Sequence, residues 1–226
     1  MKNYLKSMPA TLVFMVLCIG AWLATAAQAK TLAAPYYRSS LAQDWTLWGP
    51  DVSAHPATVI TAGFMHLDAG HLLVNMVMLF FVGREVERAL GSVLYVAVYL
   101  ISVVGASAAV LWMDFDTPTV GASGALFALM GLLIGVYRSR GLDLRAPIVL
   151  VVANVAYSFI ADNVSVWGHL GGLLTGMFLA PFVFRQRLWL RWLGIWIIAL
   201  AAAIVAALRA GPVSYTHLRA HETSLH

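Results

Sequence analysis

Seven long apolar segments dominate the chain and restrict what it can fold into. A helix needs roughly 17 to 25 apolar residues to cross a bilayer. The segments cover residues 8–27, 69–82, 92–113, 122–137, 146–160, 166–184 and 189–208; several are short for a lone span, which neighbouring helices can compensate by packing. With 61% hydrophobic and 11% charged residues, the chain has more apolar material than one soluble core of its length buries. The sequence therefore predicts an all-α, polytopic membrane protein.

Basic residues between the apolar segments predict the orientation of the chain. A pI of about 9.4 would suggest a nucleic-acid partner in a soluble protein, but charges that flank apolar segments orient helices instead, and no nucleic acid is expected. If the segments alternate in direction, ten of the fourteen lysines and arginines fall on one side. These ten are Lys2, Lys6, Arg84, Arg88, Arg138, Arg140, Arg145, Arg185, Arg187 and Arg191. The positive-inside rule then predicts a cytoplasmic N-terminus in a multi-pass protein of a cell membrane, with the bacterial inner membrane as the expected one.

Both ends of the chain and one long loop need separate interpretations. Residues 8–27 are expected to stay as a helix, although the residues before and after them also resemble a signal peptide with its cleavage site. Residues 31–67 are expected to form an extracytoplasmic loop, whose tyrosines and tryptophans favour the outer membrane interface. Residues 212–226 are polar and aperiodic and are interpreted as a non-native or disordered tail.

Two glycine-flanked motifs carry the chemistry. Gly121-Ala122-Ser123-Gly124 places one hydroxyl at the start of an apolar helix, and Gly168-His169-Leu170-Gly171-Gly172 places one imidazole within another. A serine becomes a useful nucleophile when an adjacent imidazole accepts its proton. The pair therefore predicts a membrane-embedded serine hydrolase.

Few other polar side chains lie at membrane depth, where each needs a partner or a function. Together with Ser123 and His169 of the two motifs, the polar residues at this depth are His66, His71, Asn75, Asn154 and Ser158. His71 and Asn75 share one helix face, either as an interhelical hydrogen-bond pair or as donors to an oxyanion. A metal site at His66, Asp68 and His71 lacks a typical metal-binding spacing, and Cys18 alone makes no thiolate site, so no metal is expected.

Glycines recur every four residues on the fourth and sixth segments. Gly131 and Gly135 lie on the fourth, and Gly168, Gly172 and Gly176 on the sixth. Glycine faces let two membrane helices approach closely. Such packing would bring the hydroxyl of the fourth segment to the imidazole of the sixth, although glycines pack helices in other proteins too.

Taken together, these motifs resemble the rhomboid family of intramembrane serine proteases. The matching residues, in the family's order, are His66, His71 to Asn75, Gly83, Glu87, Gly91, Gly121 to Gly124, His169, Gly172 and Gly176. The resemblance implies a six-helix catalytic core over residues 1–186 and an additional membrane helix over residues 187–210. It also implies a serine endopeptidase without a cofactor, acting on single-span or polytopic membrane proteins in the bilayer, with an active site open to the extracytoplasmic side.

The same resemblance implies a role for each site residue. Ser123 would be the nucleophile and His169 the base, and His71, Asn75 and the Ser123 backbone would form the oxyanion hole. Phe127 would pack on the base. Support would come from Gly121, Gly124, Gly172 and Gly176. Finally, Glu87 would pin a cytoplasmic loop together with Arg84 or Arg88.

Three alternatives stay open on the sequence alone. An inactive rhomboid relative would bind membrane clients without cutting them, and a small transporter would use His71, Asn75 and Asn154 as a polar pathway. A rhombosortase, which processes a C-terminal sorting tail, would be a subtype of the protease interpretation.

Overall fold

The computed structural model describes residues 8–162 and 164–210, and in this part of the chain every apolar segment is a helix. Five helices are long and apolar enough to cross a membrane, and two more are apolar but shorter. In chain order they are α1 (Pro9–Ala29), α2 (Ala69–Leu90), α3 (Ser92–Met113), α4 (Ser123–Ser139), α5 (Arg145–Ser158), α6 (Val166–Val183) and α7 (Leu188–Ala210). The predicted all-α, polytopic class is confirmed. The tail over residues 212–226 lies outside the described residues.

The helix α4 is the centre of the bundle. Eleven of its residues are buried, and it packs against α6 more extensively than any other pair of helices does. The glycines allow this approach, because a methyl group on Gly172 would overlap the carbonyl oxygen of Gly124, and one on Gly176 would overlap that of Ala128. The α4–α6 contact is therefore nearly backbone against backbone.

One predicted boundary was wrong. The second apolar segment was expected to end at residue 82, but α2 continues to Leu90 through a π-helical turn over Leu79–Gly83. Charged side chains begin at Arg84, but long charged side chains near the end of a membrane helix can extend to the membrane surface. They therefore do not end the helix. The helix ends where Gly91 adopts a φ of +82°, a conformation that favours glycine.

The interactions of Glu87 also differ from the expectation. Its buried carboxylate accepts hydrogen bonds from the backbone N–H groups of Ala10 (2.9 Å) and Thr11 (2.8 Å), and from the hydroxyls of Thr11 and Ser92 (both 2.6 Å). The neighbouring guanidinium groups of Arg84 and Arg88 contact Glu85 instead. Glu87 therefore caps the start of α1, where unpaired N–H groups attract an anion.

The first helix is an integral part of the bundle. Phe14 stacks on Tyr99 of α3 at a centroid distance of 4.0 Å, and Cys18 and Trp22 are buried in the same apolar core. This packing and the cap at Glu87 hold α1 against α2 and α3.

The loop over residues 31–67 folds into short helical turns against the segment that precedes α4. Leu47 and Thr119 exchange two backbone hydrogen bonds of 3.1 and 2.8 Å, and the N–H of Gly121 donates to the carbonyl of Ala62 at 2.9 Å. These bonds fix the backbone just before Ser123.

The last helix, α7, packs on the outside of α3 and α6. Gly194 lies against the ring of Phe182, and the indole N–H of Trp112 donates to the carbonyl of Val205 at 2.7 Å. None of these contacts involves the glycine faces of α4.

Candidate active site

Ser123 is the first residue of α4, and its position depends on Gly121. Gly121 has a φ of +136°, where other residues are strained, and a Cβ atom there would lie only 3.0 Å from the Cε1 and Nε2 atoms of His71. Both the backbone conformation and the space therefore require glycine. The backbone N–H of Ser123 lies in the first turn of the helix, where N–H groups have no partner within the helix.

His169 of α6 faces Ser123 of α4, where the glycines of the two helices bring them together. Its Nε2 lies 2.9 Å from the Ser123 Oγ, within hydrogen-bond distance. The side chain is buried, and the ring of Phe127, one turn after Ser123, stacks on the imidazole with a centroid distance of 4.2 Å and an interplanar angle of 12°. The structure thus brings Ser123, His169 and Phe127 together.

Gly124 and Gly172 explain how two helices can hold this pair so closely. Gly124 follows Ser123, and a Cβ atom on it would lie 2.5 Å from the Cβ of Ala106 on α3. Gly172 lies one turn after His169 and contacts the backbone of Gly124. The distance between the Ser123 hydroxyl and the His169 imidazole is therefore set by backbone packing.

His71 and Asn75 lie on the neighbouring face of α2. Asp68 caps this helix by accepting the N–H of His71 at 2.8 Å. The Asn75 side-chain amide donates to the carbonyl of His71 at 2.9 Å, which leaves its second N–H for another acceptor. The imidazole of His71 lies beside Gly121, next to the start of α4. The two side chains are thus close to Ser123, and neither is hydrogen bonded to it.

These side chains line one cavity of about 320 Å³. Its walls come from α2, α4, α5 and α6, and its polar lining residues are Asp68, His71, Asn75, Ser123, Asn154, Tyr157, Ser158, Asp162 and His169. The apolar remainder includes Val74 and Met78 of α2 and Leu126 and Met130 of α4. The cavity can therefore hold both water and an apolar peptide segment.

His66 is fully buried behind His71, and the two rings meet edge to face with centroids 5.1 Å apart. Burial lowers the pKa of His66, which lies in the loop before α2, to about 3, so the ring is neutral at physiological pH. Within residues 8–162 and 164–210 no group of three or more histidine, cysteine or acidic side chains is arranged to hold a metal ion. His66 therefore packs under the site as a neutral ring.

Sequence reasoning gave no role to Ser158, the last residue of α5. Its hydroxyl lies 2.7 Å from the Nδ1 of His169, on the side of the ring away from Ser123. A serine in an apolar helix carries no signal of its own, since its partner depends on how the helix packs. The only signal in the sequence was that Ser158 is one of the few polar residues at membrane depth.

The chain is similar to known proteins of one family. A family model described as the rhomboid domain matches residues 53–186. The rhomboid protease GluP of Bacillus subtilis is 31% identical over 180 residues, which are 74% of this chain and 33% of that relative. RHOMBOID-like protein 1 of Arabidopsis thaliana is 33% identical over 57% of this chain and 34% of its own length. The putative rhomboid protease YdcA of B. subtilis is 33% identical over 57% of this chain and 67% of its own. The chain thus spans about a third of the length of the first two relatives.

Proposed function

The chain belongs to the rhomboid family, and on that premise we propose that it is an intramembrane serine endopeptidase that cuts membrane-protein substrates within the bilayer. The observation that carries this proposal is the 2.9 Å contact between the Ser123 Oγ and the His169 Nε2. Both residues lie on apolar helices and face a cavity with polar lining residues.

In the proposed reaction His169 accepts the proton of Ser123 while the Ser123 Oγ attacks the peptide carbonyl. The protonated imidazole then gives its proton to the departing amine, and a water molecule, activated by the same imidazole, hydrolyses the acyl-enzyme. The stack with Phe127 holds the imidazole plane while the proton moves.

The oxyanion of the tetrahedral intermediate needs donors on the side of His71. We assign this role to the backbone N–H of Ser123, to the free amide N–H of Asn75 and to the imidazole of His71. The start of α4 adds the positive end of its helix dipole. Preorganised donors of this kind stabilise charge that develops only in the transition state.

The position of the cavity supports lateral entry of a substrate between α2 and α5. Residues of both helices line it, and α5 is loosely packed, with only Pro147 and Ser158 fully buried. A substrate helix would unwind there so that its backbone reaches Ser123.

The ends of the helices support a cytoplasmic N-terminus. Glu85 at the end of α2 contacts Arg88 and also Arg140, which follows α4, so these basic groups lie on one side of the bundle. The start of α4 with Ser123 lies at the opposite end of that helix. By the positive-inside rule the active site then opens to the extracytoplasmic side.

The test is cleavage of a fluorescent single-span substrate by the purified protein in liposomes. We expect Ser123→Ala and His169→Ala to abolish cleavage while the helical content and the melting temperature stay close to those of the wild type. Cleavage that persists in Ser123→Ala would refute the serine mechanism. A wild-type protein that retains the substrate without cutting it would favour the client-binding alternative.

A further inference from the structure

A third side chain completes the surroundings of the catalytic imidazole, and it comes from a different helix. Ser158 ends α5 and is buried, with 3% of its surface exposed. Its Oγ is 2.7 Å from the Nδ1 of His169, and the Nε2 of the same ring is 2.9 Å from the Ser123 Oγ. Both ring nitrogens of the base are therefore held by serine hydroxyls.

The two partners of the Ser158 hydroxyl favour one tautomer of His169. The hydroxyl has one proton, and the carbonyl oxygen of Asn154, 2.8 Å away, can only accept it, whereas the Nδ1 of His169 can either donate or accept. When the hydroxyl donates to Asn154, its oxygen accepts from His169, so the Nδ1 carries a hydrogen and the Nε2 presents its lone pair to Ser123. A base needs this tautomer to take the serine proton.

The same arrangement suits the charged ring that forms during the reaction. When the Nε2 has accepted a proton, both ring nitrogens are donors, and the Nδ1–H needs an acceptor at its buried position. Ser158 already supplies that acceptor, because its own proton is directed to Asn154. Hydrogen bonds to a charged group are about twice as strong as those between neutral groups.

We propose that Ser158 is the positioning residue of the base, which fixes the tautomer of His169 and accepts a hydrogen bond from the imidazolium. This inference rests on the proposed peptidase function. It also means that the loosely packed α5 contributes to the catalytic geometry, since Ser158 and Pro147 are its only fully buried residues.

The first experiment compares Ser158→Ala with a matched serine variant. Ser102 of α3 is also buried and donates to the carbonyl four residues earlier, Val98, at 2.7 Å, and it lies outside the cavity lining. Ser102→Ala therefore reproduces the loss of a buried helix hydroxyl without touching the base. We expect kcat of Ser158→Ala to fall on the order of 10- to 100-fold with KM within about twofold, and Ser102→Ala to stay near the wild type in both.

The second measurement reads the tautomer directly in the wild-type protein. In ¹⁵N-histidine-labelled protein, the NMR chemical shifts of the two ring nitrogens of neutral His169 show which nitrogen carries the hydrogen. The signals of His169 are identified by their loss in His169→Ala. We expect the Nδ1–H form. The Nε2–H form in the wild type, or an unchanged kcat in Ser158→Ala, would overturn the inference. A wild type that cuts no substrate would instead refute the peptidase function, and the tautomer measurement would still decide the role of Ser158 toward His169.

Discussion

Replacing Gly172 by alanine would place one methyl group in the closest contact between α4 and α6. The added Cβ would overlap the carbonyl oxygen of Gly124 and lie 2.7 Å from its carbonyl carbon. Carbon atoms pack at roughly 3.5 to 4.0 Å, so the two helices have to separate by about 1 Å. Gly124 directly follows Ser123, and Gly172 lies one turn after His169. The separation therefore acts on the 2.9 Å contact between the Ser123 Oγ and the His169 Nε2.

A misplacement of about 1 Å between reacting groups costs on the order of 100-fold in rate. We therefore expect kcat of Gly172→Ala to fall by about that factor, while overpacking destabilises the fold by about 1–3 kcal/mol. The assay is cleavage per folded molecule in one detergent or liposome system, with thermal unfolding measured in parallel. The rate and the stability are reported separately, so that a loss of folded protein is not counted as a loss of catalysis.

Gly20 of α1 provides the matched control. A Cβ atom at Gly20 meets nothing within 4 Å, so Gly20→Ala makes the same chemical change in open space. Its activity should equal that of the wild type. Gly194 is a poorer reference, because a Cβ there would collide with Phe182. If Gly172→Ala retained full activity per folded molecule, the α4–α6 contact would not set the catalytic distance.

Three further substitutions, one of them with a matched control, test other residues of the site and of the fold. His71→Ala should lower kcat by roughly 10- to 1,000-fold with little change in KM, as expected for a lost oxyanion donor, whereas a larger effect on KM would indicate substrate binding. Phe127→Leu, which removes the ring that stacks on the base, should lower kcat by up to about tenfold without loss of folding, and full activity would show that the stack is dispensable. Glu87→Gln should lower the free energy of unfolding by about 1.5–3 kcal/mol because the anionic cap of α1 is lost. The exchange Glu85→Gln removes only partly exposed ion pairs and should cost about 0–1 kcal/mol, so equal effects in thermal unfolding would refute the cap.

The apolar segments and the motif pair were readable from the sequence because each depends on residues close together in the chain. Long apolar stretches form helices in lipid, where every backbone polar group has to be satisfied internally. Glycine spacing and the position of Ser123 before an apolar stretch indicated which helices meet. The structure places Ser123 and His169, 46 residues apart, within hydrogen-bond distance.

Contacts that depend on tertiary position were not readable. Glu87 has two arginines within three residues, which suggested local ion pairs, but the fold brings it to Thr11, 76 residues earlier. Ser158 is an ordinary helix serine in sequence, and its role depends on the angle at which α5 meets α6. A buried hydroxyl or carboxylate takes whichever partner the packing presents, and the sequence pattern does not encode that choice.

A fluorophosphonate probe, which reacts with activated serines, tests whether Ser123 is a nucleophile that His169 activates. The purified protein is incubated with the probe in detergent, digested and mapped by peptide mass. We expect a single adduct on Ser123 in the wild type, strongly reduced in His169→Ala under the same conditions. An adduct on another residue, no adduct in a folded wild-type protein, or equal labelling of Ser123 in His169→Ala would contradict it.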